Sequence, residues 1–259
     1  MEARTAHLNL IESSRRFFEL DPDAEIETAP GWLLGAGSSS HPTISNAAFR
    51  RDDGADPAML IDRAREFFSA RDRGFSLWGR SGLEADADLF AAAEEAGLQA
   101  VYEMPEMVLR APAEEPTLPP GAELRRLESS PQAEDYWRVA QASYASLGFP
   151  PEVFAGYRDH TRLLADDVAA FLAYRDGEPA AIAMTIVNHG VAGIYWVGTL
   201  EAARGHGLSR TVTAAATNAG FALGAELASL QASPMGRPIY EVMGFETIFD
   251  YRLLLSSPP

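Results

Sequence analysis

The sequence contains no cysteine and no lysine, and all 21 of its basic residues are arginines. Without cysteine the chain has no disulfides, no thiolate nucleophile and no Cys-ligated zinc. No apolar run reaches the roughly 20 residues that cross a bilayer, and the first residues do not form a secretory signal. These absences predict a cytoplasmic protein that is not inserted in a membrane.

Positive charge is also scarce, and the formal net charge is −16. Binding to nucleic acid needs clustered basic residues, so we expect no nucleic-acid partner. The acidic surface suits a cationic small molecule, or it serves only solubility. With 259 residues, of which 47% are hydrophobic, the chain can form one large domain or two ordinary ones.

Residues 111–121 contain four prolines among acidic and small residues, which predicts a stiff, extended connector. We therefore expect an N-terminal domain over 1–113, a linker over 114–121 and a C-terminal domain over 122–259. The C-terminal part reads as a strand, two helices to about Leu164, a three-strand antiparallel meander, and then helix, strand, helix and strand. This order predicts an α+β fold around one mixed sheet.

A weak internal similarity relates residues 97–104 to residues 244–251. In both segments a helix ends at glycine and a strand follows. This pattern predicts that the N-terminal half is a degenerate copy of the C-terminal half. The alternative is that any passage from helix through glycine to strand looks the same.

Residues 193–209 combine an apolar strand, a turn with two glycines and the start of an Ala-rich helix. The N–H groups and the dipole at such a helix N-terminus predict an anion site. A dinucleotide fingerprint would place its third glycine at Arg210, and no Gly-Lys-Ser/Thr of a P-loop is present. Both of these nucleotide motifs are therefore excluded.

Two motifs resemble the GCN5-related N-acetyltransferase (GNAT) superfamily, over residues 122–255. Arg204, Gly207 and Ser209 occupy the three positions of its acyl-CoA motif, with Ser209 where the family has Gly or Ala. The segment 239–245, with Tyr240 and a Gly-Phe ending, is similar to the family's Leu-Tyr-x-x-x-Gly-Phe signature. The resemblance implies a mixed, mostly antiparallel central sheet flanked by helices, in tandem with a degenerate copy.

The resemblance also implies site residues. Backbone N–H groups of the glycine turn would hold the pyrophosphate of acetyl-CoA, the cosubstrate, and strand backbone would pair with its pantetheine. The N–H near Val197 would hold the thioester oxygen. Gly198 would allow close approach of the ligand, or it would be a packing glycine. The residues assigned to acetyl-CoA are Trp196, Val197, Gly198, Thr199, Arg204, Gly205, His206, Gly207, Leu208 and Ser209.

Tyr240 is the expected general acid, which would protonate the departing thiolate; the alternative is an interface tyrosine with only a packing role. The base is open. No carboxylate lies in the strand 191–200. Of four candidates elsewhere, His189 lies in a turn, where histidines are usually only solvated, and His206 is too far along the phosphate loop. Glu241 and Asp250 have no motif to support them, and water is the alternative that the family offers. We expect no metal. Each member of an aromatic set is by itself more often a core residue, but together they indicate an apolar or aromatic acceptor pocket: Tyr144, Phe149, Phe154, Tyr157, Tyr195 and Trp196.

The implied activity is transfer of an acetyl group to a small-molecule or peptide amine by direct attack in a ternary complex. The alternative is a non-catalytic acyl-CoA-binding sensor or interaction module of the same fold. The sequence leaves a homodimer open and does not identify the acceptor.

Overall fold

A computed structural model describes residues 1–115, 117–157 and 160–257. The helices are α1 (Glu2–Phe18), α2 (Pro57–Ser69), α3 (Ala87–Glu95), α4 (Ser130–Ala145), α5 (Glu152–Ala155), α6 (Leu208–Ala222) and α7 (Arg237–Val242). The strands are β1 (Glu25–Thr28), β2 (Trp32–Ala36), β3 (Asn46–Arg50), β4 (Phe75–Ser81), β5 (Gln99–Leu109), β6 (Ala122–Arg126), β7 (Val168–Arg175), β8 (Glu178–Asn188), β9 (Val191–Thr199), β10 (Leu227–Gln231) and β11 (Glu246–Ser256). The predicted α+β class is confirmed.

The chain folds into two compact units, which differ from the two halves of the sequence. Unit A contains Met1–Ser13, Met107–Phe154 and the described residues from there to Glu246. Unit B contains Ser14–Glu106, the described residues of 155–157, and the chain from Thr247 onward. The predicted division at the linker 114–121 rests on composition and stays a prediction.

The sheet of unit A is built on the predicted meander. β6, β7, β8 and β9 pair antiparallel in sequence order, β10 adds parallel to β9, and the end of β5 lies beside β10. β8 is buried over most of its length, as its nearly continuous apolar sequence requires. α6 lies on one face, where a Cβ on Gly220 would come within 2.3 Å of the Ala192 side chain.

Two irregularities open the sheet at β9. Its register with β10 covers only Val191, Ala192 and Gly193, although β9 continues to Thr199. Its register with β8 passes from the Met184–Tyr195 pair to the Ile182–Gly198 pair, so β9 carries one extra residue. Such a bulge re-aims a strand locally. The second half of β9 therefore diverges from β10, and the two strands form a fork.

Unit B contains the order β1-β2-β3-β4-β11, with β3 and β4 parallel and the other pairs antiparallel. An apolar core packs between this sheet and α2 and α3. β11, the last strand of the chain, thus pairs with β4 from the N-terminal half. In unit A, β10 has the end of β5 as its neighbour.

The prediction that the second helix of the C-terminal part continues to about Leu164 is wrong for the described residues, which leave out 158–159 of that stretch. The structure has the short α5 and a separate 3-10 turn at His160–Leu164. Gly156 ends the helical segment, and within unit B it packs so closely on Asp21 that a Cβ would lie 2.3 Å from a carboxylate oxygen. Strand β1 was not predicted, because its sequence, Glu-Ile-Glu-Thr, carries only one apolar residue. No helix in the described ranges has the length and apolarity to cross a membrane.

Candidate active site

A cleft of about 600 Å³ opens in unit A at the fork of β9. Residues of α4, β9, the glycine turn, α6 and the segment that leads into α7 surround it. Its lining includes nine of the eleven predicted site residues: Val197, Gly198, Thr199, Arg204, Gly205, Gly207, Leu208, Ser209 and Tyr240. Trp196 and His206 are not in the lining. The fold thus brings the two separate sequence motifs to one cavity.

The glycine turn forms one end of the cleft. Gly205 and Gly207 have φ angles of +78° and +77°, in the left-handed region that side chains disfavour. Gly207 caps α6, so the first N–H groups of that helix have no acceptor within the helix. The Nδ1 atom of His206 lies 2.8 Å from the Arg204 carbonyl oxygen, so its side chain turns toward the loop backbone. This end of the cleft can bind an anion.

Arg204 links the end of β9 to α4. Its Nε donates to the Thr199 carbonyl at 3.3 Å, and its guanidinium also donates to the Ser146 hydroxyl. These contacts hold the turn in place. A second arginine, Arg210, also lines the cleft and lies 3.9 Å from a carboxylate oxygen of Glu114. The sequence analysis considered Arg210 only because it stands where a dinucleotide fingerprint would have its third glycine, and it predicted no role for the arginine itself.

The strand end of the cleft contains the bulge. Neither Trp196 nor Val197 has a register partner of its own in β8, and β10 pairs with β9 only as far as Gly193. A Cβ on Gly198 would lie 2.3 Å from the Ser143 hydroxyl of α4. Gly198 therefore packs against Ser143, which is the kind of contact expected if it is a packing glycine. Ser143 is also a lining residue that no motif indicated.

Part of the predicted aromatic acceptor set forms one cluster in unit A. The centroid of the Trp196 ring lies 5.3 Å from that of Tyr144 and 5.2 Å from that of Phe154. The ring centroids of Tyr144 and Phe149 are 5.8 Å apart. Of these residues, Tyr144 lines the cleft. Tyr157 instead belongs to unit B, and Tyr195 binds Asn9 on α1 in unit A. The cleft lining found for the described residues contains neither of these two, and their part in an acceptor pocket stays a prediction.

Tyr240 lies on α7 and is buried, with its ring over Gly236, where a Cβ would come within 2.8 Å of a ring carbon. Burial raises the pKa of the Tyr240 hydroxyl well above its ordinary value. Burial also raises the pKa of Tyr144, and the nearby Tyr240 raises it further. Both phenols are protonated at neutral pH, as tyrosines of ordinary pKa also are, so each carries a proton that it can donate.

None of the four candidate bases lies in the cleft lining found for the described residues. Glu241 receives a hydrogen bond from the Arg237 Nε at 2.8 Å, and Asp250 belongs to unit B. His189 is in the β8–β9 turn with a φ of +51°. The described residues also contain no cluster of three or more His, Cys, Asp or Glu that could hold a metal ion.

Residues 119–231 match the family model described as the acetyltransferase (GNAT) domain. Among solved structures, a GCN5-related N-acetyltransferase from Kribbella flavida is 22% identical, with a TM-score of 0.73 over 97% of this chain and 95% of that chain. A tandem GNAT protein from the clavulanic acid biosynthesis pathway is 15% identical, with a TM-score of 0.65 over 99% and 94%. No curated protein matches. The predicted resemblance and the predicted fold are confirmed.

The buried tyrosines of unit A predict a loss of stability at high pH. Burial raises the pKa of Tyr136, Tyr144 and Tyr240 in the folded state, whereas an unfolded tyrosine ionises near about pH 10. The stabilisation is complete below that pH and is lost as pH rises toward the folded pKa, by at most about 1.4 kcal/mol per pH unit for each group. Denaturant unfolding between about pH 9 and about pH 11 measures this slope. We expect a shallower slope for Tyr240→Phe, and an unchanged slope would contradict the assignment.

Proposed function

We propose that the chain is an N-acetyltransferase that transfers an acetyl group from acetyl-CoA to the amine of a small molecule or peptide, by direct attack in a ternary complex. One observation carries the proposal: a forked strand, the N-terminus of α6 and the buried phenol of Tyr240 all face the same cleft. The domain match over residues 119–231 supports N-acetyltransferase activity in general. The donor, the acceptor class and the mechanism are part of the proposal.

The cleft fits an acyl-CoA donor. The pyrophosphate would lie at the N-terminus of α6, where Gly205 and Gly207 keep side chains away from the backbone N–H groups. The pantetheine would follow the edge of β9 that has left β10. Arg210, at the cleft wall, can add a positive charge near the phosphates. When bound, the donor supplies an activated thioester.

Three groups of the chain would act on the reaction. The Val197 N–H stabilises the negative charge that develops on the thioester oxygen as the amine nitrogen attacks the carbonyl carbon. The C–N bond forms, the C–S bond breaks, and the Tyr240 hydroxyl donates its proton to the leaving sulfur. Tyr144, beside Tyr240 in the lining, narrows the space left for the amine. The attacking nitrogen loses one proton to water as the amide forms, and the Tyr240 phenolate regains a proton from water.

We also propose that residues 1–113 are a degenerate repeat of residues 122–259 that has lost its donor site. In unit B, the parallel pairing of β3 with β4 extends to Phe49, the penultimate residue of β3, so no fork opens. The Asp56 carboxylate accepts from the N–H groups of Ala58 and Met59 at 2.9 and 3.2 Å, and Pro57 offers no N–H. The α2 N-terminus is therefore satisfied from within the chain.

The activity is tested by the release of free CoA thiol from acetyl-CoA over a panel of amines, with acetylated product identified by mass spectrometry. Release that depends on a particular amine supports the proposal. Binding of acetyl-CoA without turnover on any amine would favour the non-catalytic module instead, for which the absence of a candidate base from the described cleft lining is the specific observation. Failure to bind acetyl-CoA would contradict both.

For the acid role, we expect Tyr240→Phe to lower kcat by about a hundredfold, because the phenyl ring keeps the packing but cannot protonate the thiolate. The KM for acetyl-CoA should stay within about twofold of wild type. Tyr174→Phe is the matched control, since the Tyr174 hydroxyl binds Asp135 at 3.4 Å outside the cleft lining. Equal rates for the two variants would remove the acid role.

For the anion site, we expect Gly207→Ala to raise the KM for acetyl-CoA at least about tenfold, because a methyl group at the α6 N-terminus would obstruct the phosphates. It should also destabilise the fold by about 1 kcal/mol, since φ is +77°. Gly224→Ala is the control: its φ is +95°, at the other end of α6, and a Cβ there has open space. If both variants lose only stability, the pyrophosphate assignment is wrong.

For the degenerate repeat, we expect calorimetric titration to give one acetyl-CoA per chain. Asp56→Ala should remove about 1 kcal/mol of stability as a lost helix cap and leave that stoichiometry unchanged. Two equivalent molecules per chain would show that unit B has kept a donor site.

A further inference from the structure

Asn9 of α1 is fully buried and lies in unit A. Its Nδ2 donates to the carbonyl oxygens of Ile186, Asn188 and Val191, at 3.2, 3.3 and 2.9 Å. Its Oδ1 accepts from the Tyr195 hydroxyl at 2.7 Å. Both polar atoms of this one side chain from α1 therefore form hydrogen bonds to the β8–β9 hairpin.

The contact lies at the fork of β9. A Cβ on Gly193 would come within 2.0 Å of the Asn9 Oδ1 and 2.4 Å of the Tyr195 ring, so only glycine leaves room for the pair. Gly193 is also the last residue of β9 in register with β10. Asn9 and Tyr195 thus pack on the strand where it begins to diverge from its neighbour.

Tyr195 is also the last residue before the bulge, where it pairs with Met184 of β8. The next residue, Trp196, has a φ of +50°, a conformation that a bulky residue keeps only when its surroundings enforce it. The carbonyl oxygen of Trp196 in turn accepts a hydrogen bond from the Tyr136 hydroxyl of α4 at 3.5 Å. The bulge is therefore held by α1 through Tyr195, just before it, and by α4 through the carbonyl of Trp196, within it.

We propose that Asn9 is a positioning residue: through its hydrogen bond to Tyr195 it fixes the bulge at Trp196 and Val197, and with it the reacting end of the cleft. The inference rests on the proposed function, because Val197 is the expected donor to the thioester oxygen. It gives the N-terminal helix a role in catalysis that no motif in the C-terminal half indicates.

The first test removes one hydroxyl. We expect Tyr195→Phe to lower kcat at least about tenfold, because sub-ångström misplacement of a catalytic group is costly, while the KM for acetyl-CoA stays within about twofold. Tyr174→Phe, which removes a hydroxyl from β7 in the same unit, should leave kcat unchanged. A kcat for Tyr195→Phe equal to that of this control would overturn the proposal.

The second test joins the two partners in a double-mutant cycle. Once Asn9→Ala has removed the acceptor, adding Tyr195→Phe should lower kcat no further, because the hydrogen bond is already lost. Independent, multiplicative losses would show that Asn9 does not act through Tyr195, and would overturn the proposal.

A third measurement does not depend on turnover. In Tyr195→Phe, hydrogen exchange should become faster at residues 196–199 and stay unchanged at residues 187–192, where the Asn9 amide still binds. Unchanged exchange at 196–199, or a uniform increase over the whole hairpin, would overturn the positioning role. If wild-type protein transfers no acetyl group, the proposed function fails, while the exchange pattern still decides whether Asn9 orders the bulge.

Discussion

The parting of β9 from β10 after Gly193 is the constraint on which the rest of unit A depends. In a strand inside a sheet, the backbone N–H and C=O groups form hydrogen bonds to the two neighbouring strands, so none is left to bind a ligand. Here β10 pairs with β9 only over residues 191–193, and the bulge interrupts the register on the other side. The second half of β9 therefore carries backbone groups that can bind a substrate. The glycine turn and α6 follow directly after this strand, so one fork brings strand edge and helix N-terminus to the same cavity.

The same local order, strand then loop then helix, occurs in unit B with the opposite outcome. There β3 stays in register with β4 almost to its end, and Asp56 provides the carboxylate that α2 needs at its N-terminus. At the start of α6 the cap is Gly207, which has no side chain to accept those hydrogen bonds. A helix N-terminus needs an anion or an acceptor in either case. Under the proposed function, unit A would take that group from the donor, whereas unit B takes it from its own chain.

The sequence predicted those parts of the site that depend on residues close together in the chain. The glycine turn, the meander and the Tyr240 helix are local patterns, and the structure places them around one cleft. It could not predict which helix covers which strand, as Ser143 does against Gly198 and Asn9 against Gly193. Nor could it predict which distant strands pair, as β11 does with β4. A glycine reports that something approaches its backbone, but not whether ligand or protein does so.

The burial of Tyr240 bears on the missing base as well as on the acid. Desolvation disfavours charge, so it raises the pKa of a phenol and lowers the pKa of an amine. The environment that keeps Tyr240 protonated therefore also favours the neutral form of an amine held beside it. Such an amine would release its proton to solvent as it enters the cleft, before it attacks. One apolar surrounding can thus favour the neutral forms of both the phenol and the amine.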